Sequence, residues 1–156
     1  MRPPQTPIGL HLTQASRAIG RAFDDALTAA GGSLPAWLVL VNLKMRRVAS
    51  QRELAEAMGI TDATLTHHLN AMETAGLVTR HRDPANRRIH VVEMTPAGES
   101  AFLALREAAM NFDKQLRRGV SAAEVAGLAS LLDRLAANVS GCGSDPPWAG
   151  LAEKSS

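Results

Sequence analysis

The residues best suited to chemistry lie together between Arg80 and Thr95, in the stretch RHRDPANRRIHVVEMT. It holds Arg80, Arg82, Arg87, Arg88, His81 and His90 against only Asp83 and Glu93. The centre, Asp83-Pro84-Ala85-Asn86, is turn chemistry, because Asp and Asn bond to nearby backbone and Pro fixes its own φ. Apolar residues alternate on either side, so Leu77–His81 and Arg88–Met94 are predicted strands of one hairpin. Arginines at a hairpin tip have nothing internal to pair with, and a local basic cluster on a nearly balanced chain points to a polyanion. Just upstream, Thr61, Asp62, Ala63, Thr64, Thr66, His67 and Asn70 form a run of short, mostly polar side chains. Such groups suit base edges and phosphates better than a solvated Lys/Glu face would.

Other chemistry finds no support. The chain has no glycine-rich phosphate loop, no CxxC, no HExxH and no nucleophile–base–acid set. His67 and His68 are adjacent on a predicted helix and diverge by about 100°, and His11, His81 and His90 have no ligand spacing. The one cysteine, Cys142, has no partner in the chain, which fits a reducing compartment. No catalytic residue, metal or cofactor is expected.

The elements that must hold the polar run and the hairpin are mostly helical. Ile8, Leu12, Ala15, Ile19, Ala22, Ala26 and Ala30 recur at three and four, giving a first helix that Gly31-Gly32 stop. Ser33 caps a second, mostly buried helix bearing Trp37, Leu38, Leu40, Val41 and Met45. Ser50 with Glu53 is a capping box for a short helix whose inner face is Leu54, Ala55 and Met58. Gly59 suits a left-handed turn, and Thr61 caps the next helix, lined by Leu65, Leu69 and Met72. After the hairpin, Thr95 and Pro96 open a helix striped with Phe102, Leu105, Ala109, Phe112 and Leu116. Ser121 with Glu124 caps a last one, striped with Val125, Leu128, Leu132, Leu135 and Val139.

At 156 residues the chain is sized for one domain with a real core. A net charge of +2 and a pI near 9.2 are mildly basic and decide nothing alone. Neither an 18-residue apolar run nor an apolar N-terminal signal core is present, so no membrane span is expected and a cytoplasmic location is.

Two helices joined at Gly59 and followed by a hairpin make a winged helix-turn-helix, within a mainly α fold whose β structure is a small hairpin wing. At residue level, ELAEAMGITDATLTHHLNAMETAGLVTRHRDPANRRIHVVEMTPAG resembles the MarR family of bacterial transcription regulators over nearly the whole chain. The wing pattern R-x-x-D-P-x-N-R-R followed by V-x-M-T-x-x-G carries most of that likeness. Asn86 stands where the family usually has a second Asp, and Met94 where it usually has Leu.

The resemblance implies a homodimer gripping a pseudo-palindromic double-stranded operator, with a helical dimerisation region at residues 1–32 and 95–140. Residues 33–94 would form the DNA-binding region and 141–156 a flexible tail. Three amphipathic stripes lying outside the winged module independently call for a second copy, and Ile8, Leu12, Phe112, Leu128, Leu132 and Leu135 are the expected interface. The helix Thr61–Asn70 would enter the major groove and the wing the narrow, negative minor groove, with Arg87 at the tip. Arg80, Arg82 and Arg88 would hold phosphates or brace the wing, with Asn86 beside them. A small-molecule effector is implied between the dimer helices and the winged region. His11, Trp37 and Met45 are candidates for a mostly aliphatic pocket taking a small aromatic acid or phenol, the other reading being Trp37 and Met45 as core and His11 as surface. The expected function is a repressor released by that effector; the alternative is a winged-helix dimer that binds proteins and no DNA.

Overall fold

The computed structural model describes residues 7–46 and 48–140. The expected tail at 141–156, with Cys142, lies outside the described residues. The chain runs α1 (Ile8–Ala29), α2 (Leu34–Arg46), β1 (Val48–Ser50), α3 (Gln51–Met58), α4 (Asp62–Thr74), β2 (Val78–Arg82), β3 (His90–Met94), α5 (Pro96–Leu116) and α6 (Ala122–Val139). No single described helix is long and apolar enough to cross a membrane.

Local chemistry sets the boundaries. Ser50 and Glu53 close the expected capping box on α3, as Ser121 and Glu124 do on α6. Gly59 takes φ 65° after α3, where a Cβ would be strained, and Ile60 N–H bonds back to the Ala55 carbonyl at 3.1 Å. That turn brings α4 across α3, and the fully buried Leu54, Leu65 and Leu69 fill the angle between them. Val39, Leu40 and Leu43 of α2, Val78 and Val92 of the sheet, and Leu105 of α5 complete one continuous core. Each such side chain contributes about 1.5–3 kcal/mol through burial.

The sheet differs from the expected hairpin. It has three antiparallel strands in the order β1-β3-β2, with Ala49 opposite Val92 and Val92 opposite Arg80. The strand β1 has only three residues, too short for an alternation to show. The wing strands also begin a little later than expected, at Val78 and His90, because Leu77 N–H bonds back to the Met72 carbonyl of α4 and Ile89 N–H to the Asn86 carbonyl of the turn.

The start of α5 is fastened to the turn between α4 and β2. Thr95 caps α5 by accepting from Gly98 N–H at 3.0 Å, donates its hydroxyl to the Gly76 carbonyl at 2.5 Å, and donates its amide to the Leu77 carbonyl at 3.1 Å. Gly98 sits so close to Leu77 that a Cβ would collide with that same carbonyl oxygen and with Met94.

Beyond this point the apolar stripes run out of partners among the described residues. No residue of α6 is buried, and Leu128, Leu131 and Leu132 are 54 %, 52 % and 40 % exposed. Ile8 is exposed as well, while Leu12 and Leu135 are half-buried. Phe112 differs from the other expected interface residues, for its ring already stacks on Phe23 of α1, centroids 4.9 Å apart.

Gly98→Ala should destabilise the fold by about 1–3 kcal/mol, because the closest clash is with the Leu77 backbone, which cannot give as the Met94 side chain can. Urea denaturation of the two proteins measures it, and an unchanged midpoint would contradict this account of α5.

Candidate nucleic-acid interface

The outer face of α4 presents Asp62, Ala63, His67 and Asn70, with Thr61 and Thr64 at its start, all exposed. Thr61 is the cap and accepts from Thr64 N–H at 3.2 Å. Thr66 turns inward: its hydroxyl accepts from Gln51 Nε2 at 2.7 Å and donates to the Asp62 carbonyl at 2.8 Å, tying α4 to α3. Of the polar run, Thr66 is thus the one committed to holding the two helices together.

The wing tip is closed by its own side chains. Asp83 accepts from Ala85 N–H at 2.8 Å, and Asn86 accepts from Arg88 N–H at 3.2 Å. An amide oxygen does this as well as a carboxylate, so Asn86 serves the turn without adding negative charge. Arg82, Arg87 and Arg88 are exposed, and their guanidinium groups have no hydrogen bond or ion pair among the described residues. A cleft of about 440 Å³ separates the wing near its tip, at Arg88 and His90, from Gln51, Arg52 and Asp62. The sequence reading did not select Gln51 or Arg52, although both open α3 beside the capping serine.

Arg80 behaves differently from the other arginines. Its side chain is only 20 % exposed and is held by Glu73 through Nη2 at 2.7 Å and Nε at 3.1 Å. Nη2 also donates to Asn70 Oδ1. The hydrogen bonds from Arg80 hold the Glu73 carboxyl below the usual Glu range. Of the two roles expected for Arg80, its bonds are those of a brace.

A second, larger cleft of about 830 Å³ opens between α2 and α5. Trp37 and Phe102 stack at its apolar side, 5.7 Å apart and nearly parallel. Met45 lines it as well. His11, expected here too, is exposed on α1 and is not part of this lining. Charge joins the expected apolar lining, since Lys44, Arg106, Lys114 and Arg117 also line the cleft, with Asp113 the one carboxylate. Lys44 pairs with Glu99 at 2.7 Å and Arg117 with Asp113 at 3.2 Å, whereas Arg106 and Lys114 have no ion pair among the described residues. The signal was available: Arg106, Asp113, Lys114 and Arg117 follow at seven, eight and eleven, one helical face.

Among the described residues no three His, Cys, Asp or Glu side chains cluster as a metal site. A capped helix pair, an exposed polar second helix and a basic β-hairpin define the class, a winged helix-turn-helix DNA-binding protein. The model of the MarR family matches residues 33–90. A protein of Thauera aromatica named for transcriptional regulation of the hcr operon is 30 % identical over 129 residues, which cover 82 % of this chain and 78 % of that protein. This chain belongs to the MarR family of transcriptional regulators. Among solved structures, mutant MarR from E. coli complexed with operator DNA matches at a TM-score of 0.76 and 21 % identity, covering 83 % of this chain and 93 % of that one. The organohalide-sensing regulator RdhR-CbdbA1625 in its 2,4-dichlorophenol-bound form matches at 0.76 and 18 %, covering 87 % and 88 %. At these identities the likeness is one of fold.

Proposed function

We propose that the chain works as a homodimeric repressor that holds a pseudo-palindromic operator and releases it when a small aromatic anion enters the cleft between α2 and α5. The observation that carries this reading is the double duty of α5. Its first turn is fastened at Thr95 and Gly98 to the base of the wing, while Phe102, Arg106, Ala109 and Met110 further along it line the cleft. A ligand there bears on the same helix that holds the wing, so two states with different DNA affinity are open to it.

On DNA, the exposed face of α4 lies in the major groove and the wing in the adjacent minor groove, with Arg87 at its apex and Arg82 and Arg88 on phosphates. The mutant MarR of E. coli complexed with operator DNA supports duplex DNA as the partner. Arg87→Ala should cost about 1–3 kcal/mol on a duplex that the wild type selects from a random pool. If wild type selects no duplex and binds none in a salt-dependent way, the operator reading falls.

The dimer follows from α6. Its exposed leucines, like the exposed apolar positions of α1, have no partner among the described residues, and a second copy is the partner able to cover both at once. Leu132→Asp places a charge in that face and should give monomer or unfolded chain in sedimentation, where wild type sediments as dimer. A folded wild-type monomer at micromolar concentration would defeat it.

For the effector, Trp37 and Phe102 offer ring contact, while Arg106 and Lys114 offer charge. The dichlorophenol in RdhR-CbdbA1625 supports a phenolic or related acidic aromatic. In a Trp148→Phe background, the fluorescence of Trp37 should report binding of substituted benzoates and phenolates. Arg106→Ala should weaken them about tenfold or more, the scale of one charge-assisted hydrogen bond. Neutral amides binding as well as the acids would exclude an anion site.

A further inference from the structure

Glu73 is the one carboxylate on the recognition helix that touches the wing, and electrostatics alone gives it no place there. A negative charge beside a DNA-facing surface repels phosphate. Yet Glu73 grips Arg80 at several points, with Oε2 accepting from Nη2 and Nε and Oε1 from the Arg80 backbone N–H at 3.3 Å. Asn70, three residues earlier and so on the same face of α4, accepts from the same guanidinium. Arg80 in turn pairs with the fully buried Val92 in the middle of the sheet. The chain of contacts runs from α4 through Glu73 and Asn70 to Arg80 and into the sheet that carries the wing.

We infer that Glu73 is a positioning residue for operator recognition, a tether that fixes the wing at a set distance from the recognition helix, α4, and turns the Asn70 oxygen toward Arg80. A helix in one groove and a hairpin in the next must match the spacing of the grooves together. Two elements joined by a charge-assisted, many-point tie hold that spacing before DNA arrives. The tie also withdraws Arg80 from phosphate, which is the opposite of what its place in the basic cluster suggests.

The consequence for Asn70 is chemical. Arginine has donors only, so the Asn70 group facing it is the amide oxygen. The amide Nδ2 is left to face outward as a donor. It serves a phosphate oxygen, guanine O6 or N7, or thymine O4. With its oxygen already turned to Arg80, it is poorly placed for the paired donor and acceptor contact by which an asparagine reads adenine.

The inference rests on the operator reading above, and the test separates the two. Dissociation constants are measured for wild type, Glu73→Gln and Arg80→Lys, across a salt series, on the duplex that wild type selects and on a shuffled duplex of the same composition. Glu73→Gln should bind the selected duplex about tenfold more weakly, or about 1.4 kcal/mol, and the shuffled one more tightly. Its salt dependence should steepen by about one phosphate contact as Arg80 is freed. Arg80→Lys keeps the charge but not the fork, and should lose the same selectivity. If Glu73→Gln tightens both duplexes equally, Glu73 is only a misplaced charge and the inference is overturned. It is also overturned if Arg80→Lys binds the selected duplex as wild type does, which is what a plain phosphate contact predicts. Wild type selecting no duplex at all would remove the operator reading and this inference with it.

Discussion

The contact on which most of the molecule depends is the approach of the first turn of α5 to the Gly76-Leu77 turn. Residue 98 has to lack a Cβ because the Leu77 carbonyl occupies its space. Thr95 then uses its hydroxyl and amide to satisfy the Gly76 and Leu77 carbonyls, which would otherwise be left without donors. Three things follow from this one junction. The recognition helix ends where β2 must begin, α5 leaves the sheet at a fixed angle, and Phe102 and Leu105 reach the core beside α2. The TPAG tetrapeptide is therefore a joint between the winged part and the long helices.

The cations divide by what surrounds them. Arg80, Lys44 and Arg117 each hold a carboxylate within 3.2 Å, and exposed pairs of this kind contribute little to stability. Arg82, Arg87 and Arg88 on the wing, and Arg106 and Lys114 in the larger cleft, hold none among the described residues. Unpaired cations thus sit together on the wing and again in the larger cleft, the first group suited to an extended polyanion and the second to a small anion beside two stacked rings.

Much of this architecture was legible in local sequence signals. Ser50 with Glu53, Gly59, Thr61, Thr95 with Pro96, and Ser121 with Glu124 each act through neighbours a few residues away, so their spacing alone reports the helix ends. The exposed polar face of α4 and the arginine-rich turn were legible for the same reason. What the sequence concealed depends on distant pairing. The strand β1 exists because β3 is there to bond it. Thr66 looks like its exposed neighbours until Gln51 of α3 meets it. Glu73 reads as one more solvated residue of a helix until β2 brings Arg80 against it. The charge of the α2–α5 cleft was missed for another reason: attention to the apolar stripe of α5 passed over the cationic face beside it, which Lys44 completes only in three dimensions.

The self-closed tip of the wing has a thermodynamic consequence. Between Asp83 and Arg88 the backbone is held by the side chains of Asp83 and Asn86 and by two backbone bonds, Asp83 N–H to the Ile89 carbonyl and Ile89 N–H to the Asn86 carbonyl, both 2.9 Å. Ordering a slack loop costs about 1–2 kcal/mol for each residue whose backbone must be fixed. Here that entropy has already been lost in the free protein, through bonds that need no partner. A polyanion held by Arg87 and Arg88, as proposed, would immobilise little beyond their side chains. Association is left to proceed at the pace of diffusion and electrostatic attraction, without a loop-folding step in the way.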